Sequence, residues 1–463
     1  MYFGRSARIL CALFVALGAL GATAALAAGT PVSWGTAIEA PGTAALNTGG
    51  NAEITSVSCG GTSACGAGGI YHDANGNPHA FIQNSAGSSW SEAIPVSGTE
   101  AAPQSELLTV SCPDTTYCGA GGYYIDTDGA QHAFVLEGSN GVWGTAADVQ
   151  AAAGLTLGGS PVVNSISCAS VGNCSAGGTY DDGGLQQAFV VTEKNGVWGN
   201  AIAVPGITTL NYAYATLTSL SCASAGNCSA GGAYYDGTGA RQAYVAIEKA
   251  GVWKKAIKVP GIAAMNNGGD SETLSISCGS TANCSAGGYF TDSTGFRGTF
   301  VSTEKAGVWK KAIKVPGLPS VTADGRVSSV SCRGASSCTA GGYYTSNGLY
   351  TAFTVSEKQG VWGKAHSMGM GTYHSAVTSV SCSSAGNCAA VGYFYDNTGE
   401  EPFIVAQRNG NWVSGGPVPG VSDLNAGGYA APSVVSCAKA GGCAIGGYFT
   451  DVTNARQAFL TAP

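Results

Sequence analysis

Sixteen cysteines fall into eight pairs, every pair with the spacing C-x5-C and each displaced from the next by about 54 residues. The pairs are Cys59/Cys65, Cys112/Cys118, Cys168/Cys174, Cys222/Cys228, Cys278/Cys284, Cys332/Cys338, Cys382/Cys388 and Cys437/Cys443. A period of this length marks one supersecondary unit repeated along the chain. Each pair flanks a short turn-forming stretch, such as Ala223-Ser224-Ala225-Gly226-Asn227. Strands on either side would bring the two Cβ atoms together, so a disulfide within each unit is the expected pairing. Loops this small give little entropic gain, so the expected role of the bridges is to keep fraying turns shut. Zinc is the rival, but a pair supplies only two thiolates, and the five histidines do not stand beside the pairs.

The unit reads as four short strands. Leu217 to Cys222 alternates apolar and small polar residues. Cys228 to Tyr235 is a second strand, with small residues where another backbone must come close. Asp236-Gly237-Thr238-Gly239 forms a hairpin turn into Gln242 to Ile247, which is apolar on both faces. Val252-Trp253 to Val259 is the fourth strand, ended by Pro260-Gly261. Strands buried on both faces suit a blade sandwiched between two others. The fold class is therefore all-β, an eight-bladed β-propeller of four-stranded blades.

The eight tryptophans follow the same period, each early in a fourth strand, but Trp34 precedes the first cysteine pair. The chain ends after a third strand, in ARQAFLTAP. The N-terminal strand is therefore expected to complete the last blade and close the ring, which hides the open edges. The stretch Lys249 to Gly261 recurs unchanged from Lys305 to Gly317, a mark of duplication.

Residues 1–27 read as a signal peptide. Arg5 and Arg8 precede the apolar run Ile9 to Leu20, and Ala25-Leu26-Ala27 offers small residues for cleavage. Residues 28–463 are then a single propeller, secreted and monomeric, with no membrane span after cleavage. The net charge of −7 and the absence of a basic run longer than Lys254-Lys255 or Lys310-Lys311 give no footprint for nucleic acid.

The segment from Gly121-Gly122-Tyr123-Tyr124 to Gln131-His132-Ala133-Phe134 resembles the HAF-type extracellular repeat of bacterial exported proteins, and Pro78-His79-Ala80-Phe81 matches the same signature. Other units depart from it, as in Gln187-Ala188-Phe189. The resemblance covers only the second and third strands of each unit. It implies exported β architecture and no defined activity.

Catalytic signatures are missing: there is no HExxH, P-loop or GxSxG. No catalytic, cofactor or metal residue is assigned. Asp126-Thr127-Asp128-Gly129 resembles the opening of a calcium loop but lacks a carboxylate at the twelfth position, so a plain turn is expected, with a looser calcium site the alternative. The turn after each second strand and the variable inter-blade connections are expected on one face. Its candidate ligand residues are Tyr124, Asp126, Tyr180, Asp182, Tyr235 and Asp236, where tyrosines could stack on sugars or simply pack between blades. His366 and His374 join them, because GKAHSMGMGTYHSAV breaks the repeat. The leading expectation is a binding or scaffold module, multivalent for glycan or cell-envelope ligands. A propeller hydrolase or lyase acting on polysaccharide is the alternative, and a purely structural envelope protein is the third reading.

Overall fold

The computed structural model describes residues 32–319, 324–370, 373–413, 415–439 and 441–463. The expected leader over residues 1–27, and Cys11 with it, lie outside the described residues. The chain forms eight antiparallel sheets, each ordered first strand to fourth from the inside outward. Blades are numbered here by cysteine pair, from Cys59/Cys65 in blade 1 to Cys437/Cys443 in blade 8. First strands of neighbouring blades touch one another around the whole ring. They therefore line the axis.

Blade 4 shows the pattern. Its strands are Ala215–Ser224, Asn227–Tyr235 and Arg241–Lys249, then a fourth strand in two pieces, Val252–Trp253 and Ile257–Lys258. Both pieces pair with the third strand. The single fourth strand expected from sequence is thus broken between Trp253 and Ile257, where the Ala256 N–H donates to Pro205 O of the preceding connection at 2.7 Å.

Blade 8 is completed as expected. Ala37–Glu39 pairs antiparallel with Arg456–Thr461, in the order fourth, third, second, first. Gly35 N–H donates to Ala462 O at 2.9 Å, beside Trp34. The ring closes by hydrogen bonds between the two ends of the described chain.

All eight disulfides form within their own blades, with Cα–Cα distances of 3.9–4.1 Å. They join Cys59 to Cys65, Cys112 to Cys118, Cys168 to Cys174, Cys222 to Cys228, Cys278 to Cys284, Cys332 to Cys338, Cys382 to Cys388 and Cys437 to Cys443. The partners sit opposite each other on the first and second strands, as Cys222 does to Cys228.

The bridges do more than the expected closing of turns, because all second-strand cysteines except Cys118 are buried in the core. Cys174 is 2% exposed, Cys284 3%, Cys338 4%, Cys388 1% and Cys443 0%. Cys174 is buried with Ile166 and Tyr117, and Cys284 is buried with Ile276 and Val245. Cys338 is buried with Val330 and Val301, Cys388 with Val380 and Ala352, and Cys443 with Val435 and Ala389. The physical reason is the sandwich: a second strand has a blade on each side, so its sulfur fills the seam. The bridges therefore pack between blades as well as closing turns, and these five sulfurs are removed from solvent and from any ligand.

The repeated Ser-apolar-Ser-Cys of the first strand has a specific role. An innermost strand exposes one row of backbone N–H groups toward the axis, with no further strand to pair them. In every blade the cysteine N–H donates to the serine Oγ of the preceding blade, at 2.8–3.0 Å. The series closes on itself, because Cys59 N–H donates to Ser436 Oγ. A second tier runs two residues earlier, as Ile276 N–H to Ser219 Oγ at 2.9 Å and Leu220 N–H to Ser165 Oγ at 3.0 Å. Blade 8 has Val434 where the others carry this hydroxyl, so the second tier stops there.

Between blades lie the cores. Each mixes third-strand residues of one blade with the strands of the next, as Ala188 and Val190 pack with Leu217, Leu220 and Tyr244. The third-strand aromatic is wholly buried in every blade, from Phe81 through Tyr244 to Phe459, all at 0% exposure. The second strand must be thin to admit these contacts. A methyl at Gly231 would lie 2.7 Å from Thr273 and Ile276 of the next blade, and one at Gly232 would lie 1.9 Å from Thr216 O.

Removing residues 1–39 should leave Arg456–Thr461 as an open edge. The expected outcome is concentration-dependent self-association in sedimentation and a lower, broader melting transition. A truncated chain that stays monomeric with the full-length transition would contradict the closure.

Candidate functional site on the connection face

The turn joining second and third strands and the connection leading into the next blade share one face. Gly49 N–H donates to His72 O at 2.8 Å, and Arg241 N–H donates to Gly269 O at 2.8 Å. The cysteine turns meet the turns between third and fourth strands on the other face, where Gly251 N–H donates to Gly226 O at 2.8 Å.

The repeated turn aspartates are used by their own turns. Asp126 Oδ1 accepts from the N–H groups of Asp128 and Ala130, both at 2.9 Å. Asp236 Oδ1 accepts from Thr238 N–H at 3.0 Å and from its hydroxyl at 2.6 Å. His132 beside Asp126, and the backbone amides, hold the Asp126 carboxyl below the usual range. Among the described residues no group of three or more His, Cys, Asp or Glu side chains is placed to hold a metal ion.

The other sequence candidates separate. Tyr124 stacks on His132 with ring centroids 4.8 Å apart, and its hydroxyl donates to Asp148 at 2.9 Å. His132 also approaches Asp126 at 2.9 Å and Asp148 at 3.5 Å. This cluster borders a cleft of about 610 Å³ that includes His132, Asp148, Gln150 and Leu157.

Tyr180 corrects the sequence reading. It is 2% exposed, sits edge-on to Phe189, and packs with the loop residues Leu155 and Leu157. It belongs to the inter-blade core and has no face to offer a sugar. Asp182 is exposed at a two-residue Gly183-Gly184 turn, where both glycines have positive φ. Tyr235 is half-buried against Tyr214, with centroids 6.0 Å apart.

His366 and His374 face different neighbours. His366 lies on the exposed fourth strand of blade 6, opposite Thr354, in an outer cleft with Lys358, Lys364 and Trp412. His374 enters blade 7, where its Nδ1 accepts from Tyr350 N–H at 3.0 Å and its ring meets Tyr350 and Tyr395.

Sequence reasoning missed the most exposed aromatics. Tyr212, Tyr214, Phe296, Tyr373 and Tyr429 are the five exposed aromatic side chains among the described residues, Tyr212 at 74%. All five lie in inter-blade connections or second-to-third-strand turns, hence on this face. Tyr214, Asp270, Asp324, His374 and Tyr429 occupy one equivalent position, the residue entering the first strand. Their signal in sequence is position alone, inside connections too variable to align.

Arginines tie down the acids near the axis. Arg241 pairs with Glu272 at 2.8 Å, and Arg297 pairs with Asp270 at 2.8 Å while lying over the Tyr289 ring. Arg456 pairs with Glu53 and lies over Tyr448, whose hydroxyl donates to Glu400 at 3.0 Å.

A second set of acids is buried between blades. Glu193, Glu248, Glu304 and Glu357 are at most 2% exposed. Each reaches a hydroxyl of the preceding blades, as Glu248 does to Ser175 and Thr192. Burial raises the carboxyl pKa of all four. At Glu193 the repulsion of Glu137 adds to burial, while the Tyr117 hydroxyl donates to the carboxylate at 3.0 Å.

The fold defines a disulfide-stapled, eight-bladed β-propeller. No family model and no curated protein matches the sequence. Sqt1 from Chaetomium thermophilum is similar in structure, at TM-score 0.50 and 10% identity over 93% of this chain and 98% of that one. A GH74 xyloglucanase from Xanthomonas campestris gives TM-score 0.40 and 12% identity over 92% and 55%. A PL25 ulvan lyase gives TM-score 0.42 and 10% identity over 85% and 95%. At such identities the likeness concerns the fold alone.

The buried acids predict an inverted pH response. A folded carboxyl pKa above the unfolded value of 4.5 contributes stability that is complete below that value. The contribution is lost as pH rises through the folded value. The melting midpoint should therefore fall between about pH 5 and 8, and Glu193→Gln should flatten that fall. A midpoint that rises over the interval, in calorimetry, would contradict the assignment.

Proposed function

We propose that the protein is an exported binding module whose connection face takes a glycan or cell-envelope saccharide. One observation carries the reading: every exposed aromatic among the described residues stands on that face. Exposed tyrosines offer flat apolar rings with a polar tip, which suits sugar rings. Export is supported by eight disulfides, which persist in oxidising compartments. The resemblance to HAF-type repeats points the same way. Among the described residues no helix is long and apolar enough to cross a membrane.

The aromatics differ from blade to blade, so the reading is one asymmetric face rather than eight equal sites. Six turn aspartates, from Asp73 to Asp451, and the axial Glu53 and Glu272 already hold partners of the chain itself. That favours binding over a pair of carboxylates acting across a cleft.

The test is a glycan array with the oxidised protein, followed by titration of the best ligand. Tyr212→Ala with Tyr429→Ala should weaken binding by about tenfold, while Val252→Ala on the outer wall should leave it unchanged. An array with no binder, or shortening of an offered polysaccharide, would overturn the proposal.

A further inference from the structure

Ten of the chain's twelve lysines lie between residues 249 and 364. In sequence they are dispersed over three repeats. In the fold they fall on one surface, the outer wall of blades 4, 5 and 6. Lys249, Lys305 and Lys358 end third strands. The remaining seven, including Lys255, Lys311 and Lys364, occupy the broken fourth strands. Nine of the ten are exposed, and Lys258 is half-buried.

The seams between blades make the surface continuous. Ala312 N–H donates to Pro260 O at 2.7 Å, and a methyl on Gly261 would lie 3.3 Å from Lys311 Cβ. The next seam repeats this: Ala365 N–H donates to Pro316 O at 2.7 Å, with Gly317 against Lys364 at 3.1 Å. Lysines of one blade therefore run on into those of the next.

Little neutralises them. The glutamates adjoining the third-strand lysines, Glu248, Glu304 and Glu357, point inward and are 2%, 1% and 1% exposed. Among the described residues the one ion pair made by these ten lysines is Lys258 with Asp236, at 3.8 Å. The chain as a whole carries −7. The corresponding strands of blades 1, 2 and 8 carry Glu92, Asp148 and Glu39 instead.

We propose that the outer wall of blades 4–6 docks a linear extracellular polyanion, a polysaccharide bearing carboxylate or sulfate groups. Exposed aliphatic side chains do not single out this wall, because Ile94 and Val142 are exposed on blades 1 and 2, which carry no lysine. Charge is what distinguishes it, which favours a polyanion over a lipid surface. All the exposed aromatics among the described residues are elsewhere, so the wall has no platform for stacking bases. This proposal does not rest on the saccharide reading of the connection face.

The test is binding of the oxidised full chain to immobilised polygalacturonate and dextran sulfate, with neutral dextran as control, at low and high salt. Binding to the two anionic polymers should be lost at high salt, and neutral dextran should not bind. Lys255→Glu with Lys311→Glu should weaken binding by about tenfold or more, and Arg326→Glu with Lys439→Glu, an equal charge change off the wall, by less than about twofold. Lys255→Gln with Lys311→Gln should give an intermediate loss, which keeps the test valid if the glutamate pair does not fold. Tyr212→Ala should bind the polyanions as wild type does, which separates this surface from the connection face. Equal losses in the two charge-matched pairs, no binding by wild type, or tighter binding to single-stranded DNA or anionic vesicles than to either polysaccharide would overturn the proposal.

Discussion

The hydrogen bond from a cysteine N–H to the serine of the preceding blade is the contact on which the ring depends. Eight sheets arranged about an axis each present an unpaired inner edge, and buried or half-buried amides without partners are costly. The chain meets this by placing a hydroxyl immediately before every first cysteine. One residue then serves two blades: its backbone belongs to one first strand and its Oγ caps the next. The adjacent disulfide ties that strand to its neighbour within the blade and sets a buried sulfur, such as that of Cys284 or Cys443, into the seam. The small closed loops add only modest chain-entropy stabilisation, about 2 kcal/mol each before strain. Their position matters more than their number.

A scaffold satisfied in this way leaves its variable parts free. The first, second and third strands are nearly interchangeable between blades, because each repeats the same contacts with its neighbours. The connections and the broken fourth strands are not constrained by those contacts. They carry the exposed tyrosines on one face and the lysines on the outer wall. Between the blades, burial favours the protonated glutamates against the hydroxyls that donate to their carboxylates, so the same packing that secures the ring makes it respond to pH.

The ring was legible from sequence because its signals are local. Eight cysteine pairs, eight tryptophans and a displaced Trp34 strand required only counting and register. Burial of Cys174, Cys338 and Cys388 was not legible, since spacing shows which sulfurs meet but not what packs over them. The break in the fourth strand was also hard to see, because Val252 to Val259 is apolar enough to read as continuous. Tyrosine roles were legible only in part. Tyr124 and Tyr180 both stand near the ends of their second strands, yet one is half-exposed and the other buried. The difference lies in the connection ahead of each strand, where Leu155 and Leu157 cover Tyr180. Lysines such as Lys255 and Lys311 stand 56 residues apart in sequence and sit at successive blade seams, against Gly206 and Gly261. A run-based reading of charge does not see such a surface.

The central claim is that the inner-edge amides are protected by hydroxyls of the adjacent blade. Amide hydrogen exchange followed by mass spectrometry tests it most directly, comparing wild type with Ser221→Ala. The account predicts faster exchange at the amide that loses its cap, Cys278 in blade 5, with Ile276, still capped by Ser219, and blade 4 little changed. Exchange that rises in blade 4 alone, or does not change in blade 5, would contradict it.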